Sequence, residues 1–203
     1  RVIEEYERKF DGNDELCKLV QSLHQRIRAI KGLNDLIYTY ESNKPINFRN
    51  QLDEVLKKIT LISSELQNSD ENFEILIPKN IEMSVDLFQY LAILILELAW
   101  NSMKHAQIIQ NKQELKVQIK YYIKDDVCVF EYNDNGRGYP KNIIEGFNEK
   151  KWDGDNINLN DSKIGMYLIH LYSEKIGIAS IGNKNNGGAI FNLEMKKNNE
   201  NEQ

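Results

Sequence analysis

Chemistry in this 203-residue chain concentrates in four short runs. The first is Glu97-Leu-Ala-Trp-Asn101-Ser-Met-Lys104-His105. At helical spacing Glu97, Asn101 and Lys104 or His105 stand at i, i+4 and i+7 or i+8, which is one face. The residues ahead of them are almost all apolar, and a carboxylate, an amide and a cation in such surroundings need partners. One reading is a helix end leaving the core for solvent. The other is a site for a cation and a phosphate. Amide and carboxylate supply the hard oxygens that Mg²⁺ prefers, and Lys104 supplies a point charge.

The second run, Asn133-Asp-Asn-Gly-Arg-Gly-Tyr-Pro140, follows a strand-like segment. Asp-Asn-Gly is also an ordinary turn. Gly136 and Gly138 allow close approach of a ligand to the backbone, and Asp134 at a strand end is placed to accept from an exocyclic amine. The third is Gly165, opening a helix after a polar stretch, where either a phosphate or a plain loop-to-helix junction fits. The fourth, Gly187-Gly-Ala-Ile-Phe191, reads as a bend entering a strand.

Elements must hold these runs in place. Leu16, Val20, Leu23, Ile27, Ile30, Asn34 and Ile37 form an a/d seam with one polar interruption. Asp14 ahead of it suits an N-cap. The run Glu41–Pro45 breaks the pattern, because Pro45 disfavours helix at the residue before it. A second seam follows at Phe48, Leu52, Val55, Ile59, Ile62 and Leu66. Two such helices make an antiparallel hairpin. A unit this small rarely closes its own core, so pairing with a second copy into a four-helix bundle is expected, with Asn34 available to fix register.

From Asn68 the texture becomes mixed. Strands are expected at Phe73–Ile77, Leu115–Ile123, Val127–Asn133, Ile178–Gly182 and Ala189–Met195, and helices from Val85 to His105 and from Ile164 to Ile176. Residues 142–162 read as one polar stretch. The fold class is therefore α+β: a hairpin over residues 1–68, then an α/β sandwich over 69–203.

Composition narrows the function classes. A net charge of −5 and a pI near 5.4 argue against a nucleic-acid coat. Hydrophobic residues at 41% and charged residues at 28% exclude wholesale disorder. Cys17 and Cys128 are too far apart for a zinc knuckle or disulfide framework and suit a reducing compartment. The apolar run Leu87–Trp100 falls short of the roughly 20 residues a bilayer requires and contains Gln89 and Glu97, so it reads as a core helix without membrane contact. No secretory signal is visible. The chain begins at Arg1 rather than Met and is read as a cytoplasmic fragment of a longer protein.

Taken in order, the four runs resemble the motifs of the Bergerat-fold ATPases, the superfamily of DNA gyrase, mismatch-repair ATPases and sensor histidine kinases. Leu96–Ala106 resembles the N box, Asp134-Asn-Gly-Arg-Gly138 the first glycine box, Gly165-Met-Tyr-Leu-Ile169 part of the second, and Gly187–Phe191 the segment before the final strand. Asn-Ser-Met-Lys-His-Ala looks most like a histidine kinase. The likeness covers roughly residues 73–196, and the hairpin ahead of it resembles a dimerisation and phosphotransfer domain. By this resemblance the cofactors are ATP and Mg²⁺, with Mg²⁺ on Asn101. Glu97, Lys104 and His105 lie along the phosphates. Asp134 accepts from the adenine amine, in a pocket shaped by Gly136 and Gly138, and Gly165 lets a lid within 142–163 close. Two departures stand out: Lys163 where the second glycine box has its first glycine, and Ala189 where threonine is usual.

The resemblance also implies a phosphoacceptor. His24 follows seam residue Leu23 and points off the seam, where another molecule can reach it. Leu23-His-Gln-Arg-Ile-Arg28 resembles the acceptor helices of two histidine-kinase groups. In one, Gln25 replaces an acidic neighbour of His24; in the other, Gln25 stands at the acceptor position itself. Attack on a γ-phosphate needs an unprotonated imidazole nitrogen, and glutamine is a poor base for taking its proton. Slow autophosphorylation of His24 follows, with onward transfer to an aspartate of a response-regulator receiver domain and with the hairpin forming a homodimer. The alternatives are a degenerate kinase acting as a docking or phosphorelay module and, less well supported, an anti-sigma-type serine kinase.

Overall fold

The computed structural model describes residues 14–37, 44–62, 73–106, 115–150, 161–185 and 187–196. In chain order these form α1 (Asp14–Ile37), β1 (Ile46–Asn47), α2 (Phe48–Ile62), β2 (Phe73–Leu76), β3 (Glu82–Met83) and α3 (Val85–Ala106). Then come β4 (Val117–Lys124), β5 (Val127–Asp134), α4 (Lys141–Asn148), α5 (Asp161–Ile176), β6 (Ile178–Asn183) and β7 (Ala189–Lys196).

Five of the described strands make one mixed sheet in the order β2-β4-β5-β7-β6. Within it β2 and β4 run parallel, and the other neighbours are antiparallel. Alternation along β4 sends Val117, Ile119 and Tyr121 into the core. Asp125 and Asp126, both with positive φ, close the two-residue β4–β5 hairpin, a geometry that suits Asp better than most side chains. Register then fixes Val117 opposite Asp134, so Asp134 ends β5 beside the start of β4.

The helical layer is led by α3. Ser84 caps it: the Leu87 N–H donates to Ser84 Oγ at 3.3 Å, and Asp86 in the first turn favours the positive end of the helix dipole. By length and composition Val85–Lys104 could cross a membrane, but 72% of that window is buried inside the protein. It is the central core helix, and the apolar run read in sequence is its buried middle.

The first two helices depart from the expectation in an informative way. Asn47 caps α2 by accepting from the Asn50 N–H at 3.0 Å, and β1 pairs with β3. Phe48 is fully buried, edge-on to Tyr121 with centroids 5.2 Å apart and to Phe88 at 6.3 Å. Leu52, Val55 and Ile59 enter the same core. The α2 seam, expected to await a second copy, is therefore covered within the chain. A free-standing hairpin is not what these contacts describe.

α1 is rotated relative to its seam. The face laid on the sandwich carries Arg26, Ala29 and Leu33, each at most 3% exposed, whereas seam residue Ile27 is 64% exposed. Ala29 lets the helix backbone come close, and Lys58 of α2 donates to the Gly32 carbonyl at 2.7 Å. The side chains of Gln25 and Asn34 lie outside the described residues.

Part of the stretch read as uniformly polar is structured: α4 occupies Lys141–Asn148 and buries Phe147 against His170 and Phe191. Of the span 142–163 expected to hold a lid, residues 151–160 lie outside the described residues. Helix α5 begins at Asp161, ahead of the expected Ile164, so Gly165 lies within it rather than opening it.

Candidate functional site

Four elements converge on Asp134, at the end of β5. Its side chain is 5% exposed and accepts three hydrogen bonds. Oδ1 takes the N–H of Gly136 at 2.8 Å and of Ala189 at 2.9 Å. Oδ2 takes the Ser102 hydroxyl at 2.6 Å. Ser102 in turn accepts from the Tyr132 hydroxyl at 3.2 Å, giving a buried donor chain from Tyr132 through Ser102 to Asp134. Burial, reinforced by the nearby Asp134 charge and opposed by the bond to Ser102, holds the Tyr132 phenol well above its ordinary range. Tyr139 is raised in the same way, first by burial and then by Asp134. Both phenols therefore remain donors at neutral pH.

The loop after β5 is pinned on both sides. Lys184 Nζ donates to the Asp134 carbonyl at 2.9 Å. The Asn183 amide pairs with the Tyr139 backbone in both directions, accepting from its N–H at 2.6 Å and donating to its carbonyl at 2.8 Å. Gly138 has φ +79°, and a Cβ there would lie 2.5 Å from Asn183 Oδ1. Gly188 has φ +99°, and a Cβ there would run into the Asp134 carbonyl oxygen. These two positions require glycine for backbone and space alike. Between the walls lies a cleft lined by Asn101, Ser102, Asp134, Gly136, Arg137, Gly138, Tyr139 and Ala189.

The other end of the site is built where α3 crosses α5. Asn101 and Glu97 are 6% and 1% exposed. Asn101 donates its amide nitrogen to Met166 Sδ at 3.6 Å, which leaves its oxygen on the Gly165 side. A Cβ on Gly165 would lie 3.2 Å from Asn101 Oδ1, 3.1 Å from Glu97 Oε2 and 3.0 Å from Arg26 Nη2. Gly165 thus leaves a small bare pocket onto which two hard oxygens converge. Arg26 reaches in from α1 and forms an ion pair with Glu97 at 3.7 Å, with both side chains buried. As a donor set, amide and carboxylate oxygens suit Mg²⁺.

Most of the residues singled out from sequence therefore meet. Asp134, Gly136, Gly138 and Asn101 line one cleft, and Glu97 and Gly165 stand at its Asn101 end. Lys104 follows Asn101 by one turn and is half-buried. The His105 side chain, like that of Lys163, lies outside the described residues. His24 is half-buried on α1 and stands two residues, about 200° of helix, from Arg26, so the face carrying Arg26 into the site turns His24 away. Sequence reasoning passed over Ser102, Lys184 and Arg26. Ser102 carried a signal, since it stands inside the N box. For Arg26 the signal was a second stripe on α1, Arg26, Ala29 and Leu33 at i, i+3 and i+7.

Residues 89–199 match the model of the histidine kinase-, DNA gyrase B- and HSP90-like ATPases. The chain belongs to this family. The domain that defines it binds ATP, and the cleft between Asp134 and Asn101 lies wholly within the matched residues. Solved structures with the same fold include histidine kinases. The histidine kinase domain of the blue-light activated kinase of Erythrobacter litoralis EL346 is 17% identical, with a TM-score of 0.51 over 86% of this chain and 74% of that one. Histidine kinase AdeS of Acinetobacter baumannii is 14% identical, with a TM-score of 0.56 over 98% and 94%. The mycobacterial sensor histidine kinase MprB is 15% identical, with a TM-score of 0.52 over 75% and 97%. At such identities the likeness is one of fold. No curated protein sequence matches the chain. The chain contains an ATPase domain of this family, in a fold shared with histidine kinase catalytic domains.

Proposed function

We propose that this chain is the ATP-using core of a protein-histidine kinase in a two-component signalling system, working in the cytoplasm. The observation that carries the reading is Asp134. It is a buried carboxylate oriented by two backbone N–H groups and one hydroxyl, and it lies in the same cleft as Asn101. Adenine enters beside Asp134, which accepts from its exocyclic amine, while Gly136 and Gly138 keep the wall thin. The phosphates run toward Asn101, Glu97 and Gly165, with Lys104 and His105 along that side. Asn101 and Glu97 would hold Mg²⁺, which supplies positive charge to the β- and γ-phosphates. The rest is positioning and electrostatics, as phosphoryl transfer generally requires.

The acceptor is His24. Its unprotonated ring nitrogen forms the N–P bond as the bond from the γ-phosphorus to the bridging oxygen of ADP breaks, and ADP leaves. The phosphoryl group then passes to an aspartate of a receiver domain. Because α1 turns His24 away from the site, transfer requires α1 to rotate or a second subunit to present its own His24. The exposed seam residue Ile27 favours a homodimer through α1. Within this proposal residues 1–68 serve phosphotransfer and residues 69–203 catalysis, although the packing of α2 into the core favours a boundary nearer Pro45.

Incubation with labelled ATP and mapping of acid-labile phosphate tests the reading. Slow labelling of His24 that vanishes in His24→Ala is expected. Absence of histidine label, or unchanged label in the variant, overturns the kinase and leaves a degenerate docking or phosphorelay module. Gln25, Lys163 and the Arg26–Glu97 contact favour that second reading.

A further inference from the structure

The residue that joins α1 to the site is Arg26, and its position is unusual for a cation on a helix outside the matched ATPase segment. Its guanidinium is buried at 3% exposure and pairs with Glu97 at 3.7 Å. It shares the hollow above Gly165 with Glu97 Oε2 and Asn101 Oδ1, all three atoms lying 3.0–3.2 Å from one point. Those two oxygens are the ones that suit a divalent cation. A guanidinium and a divalent cation cannot share them, since like charges at such range in a poorly solvated pocket repel strongly.

We propose that Arg26 is a latch: it holds α1 on the sandwich through Glu97 and competes with Mg²⁺·nucleotide for the phosphate end of the site. The inference rests on the reading of the cleft as an ATP site and adds its regulation. Three observations support it. The α1 face that docks carries Arg26 beside Ala29 and Leu33, so the ion pair with Glu97 is part of the docking contact itself. The same docking keeps His24 on the far side of the helix, so the latched state occupies the phosphate end and also withholds the acceptor. The apolar seam is left outward at Ile27, so a second copy can hold α1 once it has been released. Nucleotide binding and α1 docking then oppose one another, and whatever pulls on α1 sets the apparent affinity of the site.

Two variants and two readouts test the latch. Arg26→Ala removes the competing cation. Ala29→Glu forces the docked face apart one turn away and leaves Arg26 and the cleft intact. If α1 is docked about nine-tenths of the time, each variant raises the affinity for Mg²⁺ with a non-hydrolysable ATP analogue about tenfold in calorimetric titration. Hydrogen exchange read over residues 20–33 should quicken in both variants without nucleotide, and in the wild type when the Mg²⁺·analogue is added. Three results overturn the latch: weaker nucleotide binding in Arg26→Ala, unchanged affinity in both variants, or α1 amides equally protected with and without nucleotide. Absence of nucleotide binding by wild type and variants alike overturns the ATP site itself. Exchange in the nucleotide-free proteins then still reports whether Arg26 holds α1.

Discussion

The substitution Asp134→Asn is the sharpest probe of the cleft, because it removes one charge and converts one acceptor into a donor at constant shape. The asparagine oxygen, placed where Oδ1 now lies, keeps the bonds from Gly136 and Ala189, at 2.8 and 2.9 Å in the native protein. The amide nitrogen then occupies the Oδ2 position and faces Ser102, whose hydroxyl must turn to accept and loses its own acceptor. With adenine bound as proposed, it would also face the adenine amine, donor against donor. A hydrogen bond to a charged group is worth about 1.5–3 kcal/mol, so ATP affinity should fall by a factor of about ten to a hundred or more. The cost to folding should be smaller, about 1 kcal/mol for the Ser102 bond. Calorimetric titration with Mg²⁺ and a non-hydrolysable ATP analogue measures the first quantity, and chemical denaturation the second. A parallel titration with the guanine analogue separates recognition from collapse. The new amide can donate to guanine O6, so the preference for adenine should narrow. Unchanged adenine affinity in a folded variant would refute the assignment of Asp134 to the base.

Other expectations concern folding. Gly188→Ala places a Cβ on the Asp134 carbonyl at a φ of +99° and should cost about 2–3 kcal/mol of stability in chemical denaturation, with loss of nucleotide binding. Phe48→Ala removes a fully buried ring at the junction of α2, α3 and β4 and should cost about 3–5 kcal/mol by the same measurement. Tyr132 and Tyr139 have folded pKa values raised above those of the unfolded chain, so their contribution is full below pH of about 10 and is lost as pH rises beyond it. Melting temperatures measured from about pH 8 to about pH 11 should fall at the alkaline end, and less steeply in Tyr132→Phe.

The sheet and its helices were legible because periodicity changes where the elements change. The β4–β5 hairpin, α3, β6 and β7 all lie near the expected bounds. The site was legible because its residues stand in short runs at fixed spacing. Two features escaped for physical reasons. Helix α2 shows the same seam whether its apolar stripe meets another copy or α3, since periodicity reports that a face is buried and not what buries it. For α1 the sequence offers two stripes, and the more apolar one is partly left outside while Arg26, Ala29 and Leu33 go in. The partner that the buried stripe meets, Glu97 across an ion pair, lies far along the chain and cannot be read from the helix alone.

Asp134 sits where two kinds of selection overlap. Its carboxylate collects the Gly136 and Ala189 backbones and Ser102, and its carbonyl holds Lys184 beside the cramped Gly188. A lineage that ceased to use nucleotide would still keep aspartate or asparagine here, because the side-chain oxygen ties the β5–β7 junction together. Asn101, whose amide rests on a single methionine sulfur, carries little of that structural duty. In descendants of this domain, drift at Asn101 while position 134 keeps aspartate or asparagine would therefore mark the loss of ATP use.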